Sequence, residues 1–71
     1  MNKPVNANGP AIKAQRKAAG YRQEDLAEAV GISPSHLCRV ETGERDTSQR
    51  VLTAISHTLR IPKDTITKQV A

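Results

Sequence analysis

The chain has 71 residues, with eleven Lys and Arg against seven Asp and Glu for a formal charge of +4. That length fits one small domain and leaves no room for an enzyme cleft, and with one Tyr and no Trp or Phe the core must be aliphatic, which favours close helix packing over an aromatic-centred sheet. A single Cys38 excludes an internal disulfide, no stretch nears the roughly 18 apolar residues of a membrane span, and the start lacks the apolar region of a signal peptide, so a reducing cytoplasm is the expected setting.

Met1 to Pro10 (MNKPVNANGP) holds two prolines, a glycine and three asparagines with no apolar period, and reads as a flexible N-terminal arm, leaving 11–71 as the domain. Helix one is expected from near Ala11 through Ala19, with Ile12 and Ala19 inward, Lys13 and Lys17 outward, and Gly20 ending it with Tyr21 packed behind the stop. Helix two takes Gln23 to Val30 and carries Glu24 and Asp25 in its first turn, where negative charge favours the positive helix end. Gly31 suits a sharp turn, Ser33 can accept from the next helix's free amides, and Pro34 suits its first position.

Helix three follows from Pro34 to Thr42, with Gly43 as its stop. Leu26 and Val30 lie one turn apart on helix two, Leu37 and Val40 on helix three, so both faces can close on one core, and Ala27 lets the axes approach. Glu44, Arg45 and Asp46 then form a loop, and Thr47 or Ser48 can cap a fourth helix that reaches Leu59 and buries Leu52, Ile55 and Leu59. Ile61 and Pro62 punctuate its end, before a short fifth helix over about Lys63 to Gln69 that would bury Ile66 and Val70. No repeat or second domain is visible. Gln23 to Gly43 is thus a helix-turn-helix candidate, a unit whose second helix usually enters the DNA major groove.

Beyond that unit, the sequence carries Arg16-x-x-x-Gly20, Gln23 opening helix two, Leu26-Ala27, Gly31-Ile32-Ser33, Val40-Glu41-x-Gly43 and the Leu52, Ile55, Leu59 spacing. Together these resemble the Cro and lambda-repressor-like helix-turn-helix regulators, the XRE family, from about Ile12 to Ile66. The resemblance implies a compact all-α domain of five helices that binds double-stranded DNA, usually as a homodimer on a palindromic operator, with helix three as the reading helix. Many members repress transcription. It also implies that Arg16 and Glu41 form a structural pair tying helix one to the end of helix three.

Helix three exposes Pro34, Ser35, His36, Cys38, Arg39 and Thr42 once Leu37 and Val40 are committed to the core. In the family, the first residues of this helix and the position of Arg39 face base edges. Arg39 has the chemistry for it, because its fork can donate twice to guanine, against the plainer reading of a solvated surface arginine. Ser35 can touch a base or a phosphate, and His36 a guanine, a phosphate or only solvent. Pro34 departs from the glutamine of several relatives, so Gln23 must bond elsewhere and is expected at a phosphate, as are Arg22, Thr42, Arg45 and Arg50.

Arg22 stands where relatives place a Ser or Thr cap, exchanging an acceptor worth about 1 kcal/mol for a cation. Glu44 and Asp46 stand where carboxylates would weaken phosphate binding. Cys38 reads as a passive thiol, because His36 and His57 are not at metal-pair spacing with it. No metal site, cofactor, membrane contact or small-molecule ligand is evident, and no catalytic constellation. Two functions compete: a sequence-specific DNA-binding transcriptional regulator, a repressor in the first instance, and a protein-interaction module of the same fold, an antirepressor or antitoxin-type partner. The homodimer of the first reading can form on DNA alone.

Overall fold

The computed structural model of the chain describes residues 7–68. Within them the fold is four α-helices, α1 (Gly9–Ala18), α2 (Gln23–Val30), α3 (Pro34–Thr42) and α4 (Gln49–Leu59), followed by a short 3-10 helix, Lys63–Ile66. The expected fifth helix is therefore a single 3-10 turn, closed by a hydrogen bond from Thr65 to the Pro62 carbonyl. Gln69, its expected end, and Val70, expected to be buried beside Ile66, lie outside the described residues. Ile66 nonetheless becomes fully buried, so the turn delivers the apolar anchor that a longer helix was expected to supply.

Helix α1 begins two residues before the expected Ala11. Asn8 caps it, its side-chain oxygen accepting from the Ala11 amide at 3.2 Å, and Pro10 sits in the first turn, where its missing N–H costs no intrahelical bond. Ala7 to Pro10, read from composition as part of the arm, are thus built into the domain: the Ala7 amide donates to Asp46 at 2.8 Å, Asn8 donates to the Ile66 carbonyl at 2.8 Å, and Ala7 forms an isolated antiparallel bridge with Thr67. The rest of the expected arm, 1–6, lies outside the described residues. The inward face of α1 is Gly9, Ile12 and Arg16. Ala19, expected inward, is exposed because the helix has already ended at Ala18, and the half-buried Tyr21 packs against the core after the turn.

Each helix ends on a residue of positive φ, at Gly20, Gly31, Gly43 and Arg60. Each end also carries the paired hydrogen bonds of a Schellman turn; after α2, Ile32 donates to the Ala27 carbonyl and Gly31 to that of Glu28. Arg60 adopts φ 56° with a side chain, a conformation that β-carbon sterics disfavour. Ser48 caps α4 by accepting from Val51 at 3.2 Å.

The helices pack α1 on α3, α2 on both α3 and α4, and the 3-10 turn across α1 and α4. Ile12, Leu26, Leu37, Leu52, Ile55 and Ile66 are fully buried between them, each contributing about 1.5–3 kcal/mol relative to exposure. The start of α1 sits tightly against the end of α3: a β-carbon on Gly9 would overlap the Val40 carbonyl oxygen and stand 2.6 Å from that of Glu41.

Candidate nucleic-acid interface

The α2–turn–α3 unit is held by local chemistry at both joints. Gly31 turns the chain at φ 81°, and Ser33, in extended backbone, accepts from the His36 amide at 3.0 Å to cap α3. Leu37 and Val40 are buried, which fixes the rotation of α3 about its axis and leaves Pro34, Ser35, Cys38, Arg39 and Thr42 exposed along the opposite side. His36, expected on that exposed side, is half-buried. It turns toward the α3–α4 loop instead.

Behind α3 lies a polar node. Arg16 Nε donates to Glu41 Oε2 at 2.7 Å and Nη2 to Oε1 at 3.2 Å, with the two residues 7% and 4% exposed. Arg16 Nη1 also donates to the Tyr21 carbonyl at 2.9 Å, so the guanidinium satisfies an oxygen just past the end of its own helix. Gln23 joins the node, Nε2 donating to Glu41 Oε1 at 2.9 Å. The bond it was expected to seek at a phosphate goes first to this carboxylate, which keeps one amide hydrogen and the amide oxygen for other partners.

Of the expected base readers, Ser35 and Arg39 are exposed, and neither side chain has an intramolecular hydrogen bond among the described residues. Of the expected phosphate contacts, Arg45 and Arg50 are exposed on the loop and at the start of α4. Thr42 is exposed too, but its hydroxyl turns back on the Arg39 carbonyl at 3.1 Å, with Glu44 at 3.4 Å. Arg22 makes no side-chain cap for α2. It is engaged by the helix's first-turn acids, with Asp25 at 2.9 Å and Glu24 at 3.6 Å. That hydrogen bond holds the Asp25 carboxyl below its ordinary range and the Arg22 guanidinium above its own.

The two loop acids differ. Glu44 is exposed. Asp46 is half-buried and its Oδ1 accepts from the amides of Ala7 and Thr47, each at 2.8 Å, so this carboxylate, expected beside phosphate, instead staples the N-terminal segment to the loop. Sequence reading missed that bond and the Gly9 contact, both of which join residues far apart in the chain, and the burial of Thr47. Cys38 is an exposed free thiol and His57 is exposed on α4. Among the described residues no group of His, Cys, Asp and Glu could hold a metal ion, and no helix is long and apolar enough to cross a membrane.

Known proteins share this arrangement. A helix-turn-helix family model, HTH_3, matches residues 12–66. An uncharacterized HTH-type transcriptional regulator of Bacillus subtilis (strain 168), YazB, is 41% identical over 56 residues, 79% of this chain and 81% of its own. Among solved structures, the master regulator for biofilm formation SinR in complex with DNA is similar with a TM-score of 0.75 at 33% identity, over 80% of this chain and 95% of that one. The P22 c2 repressor in complex with a synthetic operator gives 0.75 at 28% identity, over 89% and 91%.

Proposed function

This chain belongs to the helix-turn-helix family of transcriptional regulators, and from that premise we propose that it is a sequence-specific repressor that reads double-stranded DNA in the major groove with α3. One observation carries the reading. The outer face of α3 presents Ser35 and Arg39 with no side-chain hydrogen bond among the described residues, on a helix whose roll is fixed by buried Leu37 and Val40. Arg39 supplies base discrimination by bidentate donation to guanine, and Ser35 a shorter contact. His36, half-buried at the edge of this face, belongs to the strand-contacting margin rather than to its centre.

Arg45, Arg50, Thr42 and the remaining amide hydrogen of Gln23 supply positioning contacts to phosphate, and Arg22 adds a further one when released from Asp25. The likeness to SinR and P22 c2, both solved on DNA, supports the same docking here. On this reading two copies pair on DNA across a palindromic operator, their reading helices about 34 Å apart and their half-sites about 10 base pairs apart. Selection of bound duplexes from random DNA tests all of this. A symmetric site with that spacing is expected; a pool that shows no enrichment after successive rounds rejects sequence-specific binding.

A further inference from the structure

Two polar atoms in the described chain are sealed from solvent with no hydrogen-bond partner, His36 Nε2 and Thr47 Oγ1. They belong to residues that line the same cavity, an open depression of about 310 Å³ at the surface, together with Arg45, Asp46 and Ser48. Thr47 is 9% exposed. An unpaired buried polar group costs about 1–3 kcal/mol, so two of them at one place call for an explanation.

The surroundings favour an oxyanion. The cavity lies at the N-terminus of α4, where Ser48 takes the Val51 amide and the first amides of the helix point outward with its positive end. Arg45 adds a full charge at the rim. Asp46 also lines the cavity, but its Oδ1 is occupied by the amides of Ala7 and Thr47. His36 and Thr47 each bring an N–H or O–H donor, His36 in its Nε2-protonated tautomer.

We propose that this cavity is a phosphate seat, and that one phosphate group of the DNA backbone enters it and accepts hydrogen bonds from His36 Nε2 and Thr47 Oγ1, with a small side-chain rotation opening the seam between α3 and the loop. This rests on the DNA-binding reading above and gives His36, already placed at the margin of the reading face, the specific role of phosphate donor. Thr47, which the sequence offered only as an alternative helix cap, becomes the second donor. The free protein tolerates two orphaned donors because the bound one uses them.

Thr47→Val tests this without endangering the fold. It removes an unpaired buried hydroxyl while keeping the side-chain shape, so the melting temperature should hold or rise. Affinity for the duplex recovered by selection and for a scrambled duplex should fall alike, about tenfold, and Thr47→Ser should restore it. A methylphosphonate placed at each phosphate in turn should weaken the parent at one position, and weaken Thr47→Val no further there. Unchanged affinity of Thr47→Val for duplexes that the parent binds overturns the phosphate seat alone. Failure of the parent to bind any duplex overturns the DNA-binding reading instead, and the DNA source with it. Titration with inorganic phosphate gives a third arm: saturable shifts of the His36 imidazole signals without any Thr47→Val effect on DNA would make this a free-anion site and overturn the backbone assignment.

Discussion

Gln23 and Glu41 share a hydrogen bond of 2.9 Å, which joins the first residue of α2 to the last turn of α3 through the carboxylate that also holds Arg16. One buried acid therefore sets the relative position of three helices. Glu41→Ala leaves Arg16 as an uncompensated buried cation and should cost about 3–5 kcal/mol in urea or thermal unfolding. Arg16→Ala should be comparably damaging. Replacing both with apolar residues of similar volume should cost much less than the two single changes added together, a coupling that a double-mutant cycle measures.

Gly9 lies where α1 meets the backbone carbonyls of Val40 and Glu41. Backbone cannot step aside as a flexible side chain can, so Gly9→Ala should destabilise by about 1–3 kcal/mol despite alanine's better helix propensity. Chemical denaturation checks this; a neutral or stabilising alanine would mean that α1 does not seat on α3 this closely.

Arg60 ends α4 in the left-handed region, at φ 56°. Glycine adopts that conformation without a β-carbon clash, although it also loosens the unfolded chain. The expected net for Arg60→Gly is a gain of about 0.5–1 kcal/mol in stability, read from the shift in denaturation midpoint at unchanged slope.

Arg22 is engaged by Asp25, and the competition bears on DNA binding. Asp25→Asn should free the guanidinium for phosphate, tighten binding to all duplexes alike, and steepen the salt dependence by about 0.9 in the log–log slope for one added phosphate contact. The sign with pH follows from the depressed Asp25 carboxyl: the ion pair is present above the ordinary carboxylate range and is lost as pH falls through the folded value. Carboxyl-carbon NMR titration should place Asp25 below its unfolded value, and Arg22→Ala should return it there.

Arg39→Ala should cost about 1–3 kcal/mol on the selected duplex and much less on a scrambled one, so that the preference between them collapses. Equal losses on both, seen in a mobility-shift titration, would make Arg39 a phosphate contact.

How much of this was legible depended on whether the cause lay nearby in the chain. The limits of α2 and α3 and the cap at Ser33 follow from Gly31, Ser33, Pro34 and Gly43, residues that act within one turn of themselves. The start of α1 was hidden because Gly9 and Pro10 resemble linker composition, and the need for glycine arises from carbonyls some thirty residues on. Asp46 looked like a repulsive loop charge because its donor, the Ala7 amide, lies far away in sequence. On the candidate interface, the exposure of Ser35 and Arg39 follows from helical period alone. The half-burial of His36 depends on where the loop returns, and the direction of Gln23 on a carboxylate of another helix.

The bridge between Ala7 and Thr67, with Asn8 bonded to the Ile66 carbonyl, closes nearly the whole described chain into a ring. Contacts between positions this far apart carry a large loop-closure entropy, so they are expected to form after the helices have condensed and to open before them. The Ala7 amide bonded to Asp46 would then report a sub-global opening in hydrogen exchange, releasing the α3–α4 loop from the N-terminal segment while the core stays shut. The rim of the interface would thus have a stability of its own, lower than that of the domain and adjustable by whatever holds the two ends together.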